Sequence, residues 1–78
     1  MVEVKIINKI EDKVKEYQEQ TGCTKSWIAK QMGFKSKQAL DGAMMSKNPT
    51  IKTLVIFAYF LNCKVTDLYI IKELRNTK

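Results

Sequence analysis

The chain has 78 residues, 45% of them apolar and 28% charged, which suits one small folded domain and is too apolar for disorder. Two lone cysteines and no histidine leave no ligand set for zinc and no disulfide framework, so neither metal nor cofactor is expected. The net charge is +6, and the longest apolar run, residues 54–61, is far below the roughly 18–20 residues of a membrane span, so a cytoplasmic chain is expected.

The opening segment, MVEVKIINKIEDK, has charges scattered through it and no apolar block of the signal-peptide kind. Ile6, Ile7, Ile10, Val14 and Tyr17 recur at three- and four-residue steps, which predicts an amphipathic helix over residues 3–20. Lys5, Lys9, Lys13 and Lys15 sit at helical spacing from acids and give that helix a solvated face. Thr21-Gly22 ends it. Thr24 is a good N-cap for a second helix that turns Ile28, Ala29 and Met32 inward, with Gly33 as its left-handed stop. Residues 35–38 lead into a third short helix ending near Met45. Ser46-Lys47-Asn48-Pro49 has turn chemistry, and Thr50 caps a fourth helix with Leu54, Phe57, Ala58 and Leu61 on one face. Asn62 takes the left-handed position after it. A fifth helix is predicted from about Val65, carrying Leu68, Tyr69 and Ile71, with residues 72–78 as a tail. The expected fold class is all-α: a compact bundle of five helices in a single domain.

Charge is unevenly divided. Residues 1–20 have a net of −1, whereas residues 21–55 carry Lys25, Lys30, Lys35, Lys37, Lys47 and Lys52 against Asp41 alone. Such a block in so small a domain is the footprint of a surface that meets a polyanion. It overlaps the stretch TGCTKSWIAKQMGFKSKQALDG, where Ala29 and Gly33 supply a small residue and a positive-φ residue for a tight turn between two helices. Catalysis finds no support: no histidine can serve as a base, no glycine-rich phosphate loop occurs, and Asp41 and Asp67 lack an acidic neighbour.

From these residues the chain resembles the Cro/C1-type (XRE family) helix-turn-helix regulators over roughly residues 5–71. The resemblance rests on Ala29…Gly33-Phe34, on the spacing from Gly33 to Pro49, and on Thr53-Leu54…Ala58…Leu61-Asn62-Cys63-Lys64-Val65-Thr66-Asp67-Leu68-Tyr69. It implies a lambda-repressor-like bundle whose third helix enters the DNA major groove while the second crosses the backbone. By position it implies Lys35, Ser36, Lys37, Gln38 and Asp41 as base-facing residues, and Thr24, Lys25, Lys47 and Asn48 as phosphate contacts. Asn62 and Cys63 replace the family's usual Gly and Val, and Lys64 stands where a Ser or Thr cap is usual. Ala39 and Gly42 stand where the third helix usually presents large aliphatics. Either that helix packs unusually close through Ala39, Gly42 and Ala43, or it starts one residue later, with Ser36 rather than Lys35 as N-cap.

Trp27 is expected to pack on Tyr17 or Ile10, and Cys23 and Cys63 to serve as small buried hydrophobes. Tyr59 or Phe60 must point outward, since Phe57 claims the core side of the fourth helix. The expected function is sequence-specific recognition of double-stranded DNA by a transcriptional repressor of the minimal phage or mobile-element type, with no small-molecule ligand. The alternative is a protein-interaction module, antirepressor- or antitoxin-like, that keeps the helix-turn-helix fold. One reading helix covers only about four or five base pairs, so a homodimer is expected. Ile70, Ile71 and Leu74 are its expected contacts, against the competing idea that the end of the chain folds back over the first helix.

Overall fold

The computed structural model describes residues 2–76. In chain order it has strand β1 (Val2–Asn8), helices α1 (Ile10–Thr21), α2 (Lys25–Met32), α3 (Lys37–Met44) and α4 (Ile51–Leu61), a 3-10 turn over Val65–Asp67, and strand β2 (Tyr69–Asn76). The described chain is thus a mixed α/β domain of four helices and a two-stranded antiparallel sheet, which overturns the expected all-α five-helix bundle.

Both departures lie at the ends. Val2, Val4 and Ile6 alternate with Glu3 and Lys5, a period of two carried by β-branched residues, and this pattern competes with the helical spacing of the isoleucines. Residues 69–76 supply a ladder for it, so the strand holds as far as Asn8 and the helical period begins at Ile10. At the other end, Val65–Asp67 makes one 3-10 turn, and Ile70-Ile71 then extend into β2 instead of continuing a helix. Residues 72–76, expected as a tail, lie in β2; residues 77 and 78 of that tail fall outside the described residues.

Between the strands the expected punctuation is in place. Thr24, Ser36 and Thr50 each accept a backbone N–H three residues on, at 3.1, 3.2 and 3.2 Å, capping α2, α3 and α4. Asn62 takes φ 55° and closes α4, and the Lys64 N–H donates to Asp67 Oδ2 at 3.1 Å, so the 3-10 turn keeps the half of a capping box that needs no Ser or Thr at Lys64. Ile10, Val14, Ile28, Ala29, Leu40, Met44, Leu54, Phe57, Ala58 and Leu68 form one buried core. Phe57 is fully buried at its centre, while Leu61, in the last turn of α4, is half-buried at the margin.

The sheet pairs Ile7 with Ile70, Ile6 with Ile71, Lys5 with Glu73, Val4 with Leu74 and Glu3 with Arg75, with a bulge at Lys72. Val2, Val4, Ile6, Ile71 and Leu74 therefore share one face. The reverse face holds Ile7 and Ile70 and the charged pairs, with Lys5 Nζ 3.6 Å from Glu73 Oε2 and Arg75 bound to Glu73. The molecule measures 48 × 24 × 15 Å with a Cα radius of gyration of 13.8 Å. A compact domain of this length has about 11–12 Å; the difference is the ribbon, which runs outward from the helices.

Candidate nucleic-acid interface

The turn between α2 and α3 sets the placement of both helices. Gly33 sits at φ 84°, where a side chain is strained, and its N–H donates to Lys30 O at 3.2 Å. The Phe34 N–H reaches back to Ala29 O at 2.8 Å, and the Phe34 ring lies 6.1 Å from that of Phe57. This closes α2 with a Schellman-like end anchored by an apolar contact, and sends the chain directly into α3.

Ser36 is the N-cap of α3, so the helix starts one residue later than the alternative with Lys35. Leu40 and Met44, four apart, fill the core side; Ala39 and Gly42 are exposed, and a Cβ on Gly42 would meet nothing within 4 Å. The close-packing alternative through Ala39 and Gly42 therefore does not hold, because those residues face solvent. Lys35, Ser36, Lys37 and Gln38 are all exposed in the turn and the first helical turn. Asp41 is half-buried one turn further on, with Lys25 Nζ 3.5 Å from its Oδ1. That oxygen is buried and accepts no hydrogen bond among the described residues, so the structure brings Lys25 and Asp41 together as an ion pair joining α2 to α3.

Lys47 and Asn48 follow the far end of α3, an eight-residue helix roughly 12 Å long, and are also exposed. They line a shallow groove of about 580 Å³ together with Lys5, Asn8, Ser46 and Lys72. Asn8 is a residue that the sequence reading placed mid-helix. Its Nδ2 donates to Met44 O at 3.0 Å and Ser46 O at 2.7 Å, while its Oδ1 accepts the Ile10 N–H at 2.9 Å. One side chain thereby ties the base of the ribbon, the start of α1 and the end of α3. Its signal in the sequence is the polar residue closing the run Ile6-Ile7, which becomes legible once that run is a strand.

The ion pairs segregate along the chain. Lys9, Lys13 and Lys15 are held by Asp12, Glu16 and Glu11 on α1, and Lys9 draws the Asp12 carboxyl below its usual range. Lys30, Lys35, Lys37, Lys47, Lys52, Lys64 and Lys72 have no acidic partner among the described residues, and four of these seven lie on or beside the α2–α3 pair.

The remaining expectations divide. Tyr59 is 89% exposed, Phe60 is half-buried with its ring 5.3 Å from Tyr17, and Trp27, expected to pack on Tyr17 or Ile10, is exposed. Cys23 and Cys63 are half-buried free thiols. Of the expected dimer contacts, Ile71 and Leu74 share the apolar ribbon face, whereas Ile70 lies on the reverse face opposite Ile7, because the strand alternates where a helix would not. Tyr69–Asn76 pairs with β1 and does not fold over α1. No described helix is long and apolar enough to cross a membrane. No family model, no curated protein and no solved structure matches the chain.

Proposed function

We propose that the chain is a sequence-specific DNA-binding regulator of the helix-turn-helix kind, which represses by occupying an operator through α3. The observation that carries this reading is the first turn of α3: Lys35, Ser36, Lys37 and Gln38 are exposed together, unpaired, beyond a Gly33 turn that fixes α3 against α2. Lysine donates to guanine O6 and N7, glutamine pairs with adenine, and the Ser36 hydroxyl keeps its proton for a phosphate or base acceptor while its oxygen caps the helix. Lys37 and Gln38 then face bases, with Lys35 and Ser36 at the groove edge. Thr24, Lys47 and Asn48 hold phosphate on either side, and Lys25 does so in competition with Asp41. Asp41 in this reading orients Lys25 across the helix pair, and its contact with a base is secondary.

Gel-shift titration of the chain against genomic fragments, repeated at several salt concentrations, tests the reading. Binding to a subset of fragments, with log affinity falling linearly in log salt, is the expected result. Uniform weak binding to every fragment, or none, would remove it.

A further inference from the structure

We propose that the groove between β1 and the loop after α3 holds DNA backbone, with Lys5 and Lys72 of the ribbon as phosphate ligands additional to the helix-turn-helix. The inference rests on the DNA reading and extends its contact surface to the ribbon, which that reading leaves unused. The groove is open and has a volume of about 580 Å³. Consecutive residues of β1, from Val4 to Asn8, form one wall, so it runs along the strand. The loop from Met45 to Asn48 forms the other, and Lys72, bulged from β2, completes the lining.

Three lysines line this groove and no acid does. Lys47 and Lys72 have no acidic partner among the described residues. Lys5 Nζ lies 3.6 Å from Glu73 Oε2, but its side chain is 72% exposed, and a pair so exposed contributes little and exchanges readily for a phosphate. Glu73 also holds Arg75, so its carboxylate keeps a partner when Lys5 turns away. The side chains of Ser46 and Asn48 make no hydrogen bond among the described residues, and a hydroxyl and an amide are common neutral donors to phosphate oxygen.

One effect opposes an anion here. The carbonyl end of a helix is electronegative, and α3 ends beside the groove. Asn8 blunts it, because its Nδ2 donates to Met44 O at 3.0 Å and to Ser46 O at 2.7 Å. The same two bonds tie the strand wall to the loop wall, so the groove is built before DNA arrives. An acidic peptide laid along β1 would meet the same charge. DNA is favoured because Lys47 and Asn48 belong to both surfaces: they follow α3 and line the groove, so a strand backbone leaving α3 continues into it without a break.

Anisotropy titrations at several salt concentrations test the proposal, with the tightest genomic fragment from the gel shift and a duplex of unrelated sequence as probes. Lys5→Ala and Lys72→Ala should each weaken binding to both duplexes by the same factor and lower the salt slope by about one unit; the double variant should lower it by about two. Glu73→Gln, which frees Lys5, should tighten binding. Lys64→Ala removes the same charge outside the groove and should leave the slope unchanged. Circular dichroism reports folding; if either alanine variant loses structure, Lys5→Gln and Lys72→Gln replace them with the same expectation. Unchanged slopes in the ribbon variants, or an equal fall in Lys64→Ala, overturn the proposal and leave the regulator reading standing. A loss confined to the preferred fragment overturns it too, since that is base reading. A wild type with no salt-dependent binding removes the regulator reading and this extension together. An alternating Glu-Val octapeptide probes the other occupant: saturable binding lost in Lys5→Ala, with DNA slopes unchanged, overturns the proposal and gives the groove to an acidic protein segment.

Discussion

Lys35 and Lys37 flank the serine that caps α3, and neither is held by an acid among the described residues. Exposed lysines at a helix start contribute little to stability, so the double reversal Lys35→Glu/Lys37→Glu is expected to abolish DNA binding with the far-ultraviolet dichroism unchanged. Loss of helical signal would mean that they hold the fold instead. Gly42 is exposed in α3 with open space around its Cα. Gly42→Ala should raise stability by about 0.5–1 kcal/mol, through the lower entropy of the unfolded chain, measured by the denaturant midpoint. Burial pushes the Cys63 thiol above its ordinary value of 9.0, and Asp67 adds in the same direction. The folded state thus binds that proton more tightly than the unfolded state. Its contribution to stability is complete below the ordinary thiol value and is lost as pH rises through the raised one. Comparing wild type with Cys63→Ser in denaturant titrations across that window should show a steeper alkaline decline for the wild type.

At the scale of elements, α3 is held by two side chains on its inner face and by what grips its ends. Leu40→Ala should cost about 2–5 kcal/mol, since Leu40 is fully buried and the cavity has little freedom to collapse. Asn8→Ala removes both donors from the end of α3 and the acceptor at the start of α1; thermal denaturation should show a loss of about 1–3 kcal/mol. The ion pair Lys25–Asp41 makes a separate prediction. Asp41→Asn releases Lys25 toward phosphate and removes the sole acid from residues 21–55, so fluorescence-anisotropy titrations should give tighter binding with a steeper salt dependence. A change of preferred sequence at constant salt slope would instead show that Asp41 reads a base. The pairs along α1 are exposed and add little, so their removal should leave both stability and binding nearly unchanged.

Across the whole molecule, the core lies among the helices and the ribbon stands away from it, so local stability should be uneven. Amides of α1 and α4 should exchange only through global unfolding, whereas ribbon amides from Val2 to Ile6 and from Ile71 to Arg75 should exchange faster by local opening. Hydrogen-exchange mass spectrometry at two protein concentrations would show it. The ribbon pairs residues from 61 (Asn8 with Tyr69) to 74 (Val2 with Asn76) positions apart, so its formation follows the collapse of the helices, which need mostly local contacts. Unequal charge has the opposite reach: the α1 lysines are neutralised within their own helix, while Lys30, Lys35, Lys37 and Lys47 have no acid beside them among the described residues, so their fields add over a longer range.

What can be read from the sequence alone is what local chemistry decides. The four inner boundaries made by Thr24, Gly33, Thr50 and Asn62 need one residue each, and Leu54, Phe57 and Ala58 need only a helical period. The cluster of lysines around α3 is likewise legible, because charge adds along a short stretch whatever the exact register. Ser36 against Lys35 as the start of α3 was left open by the residues, since either side chain arrangement satisfies the local pattern. It was decided by which of Leu40 and Ala39 the core accepts. The ends of the chain were decided by tertiary structure altogether. Ile6, Ile7 and Ile10 fit a helix as well as a strand, and Val2-to-Ile6 becomes a strand because Tyr69–Asn76 lies beside it to complete its hydrogen bonds. No local signal reports a partner at that distance. For the same reason Ile70 changed sides, Asn8 became the joint between ribbon and α3, and an apolar face appeared where a helix would have spread those residues around its circumference.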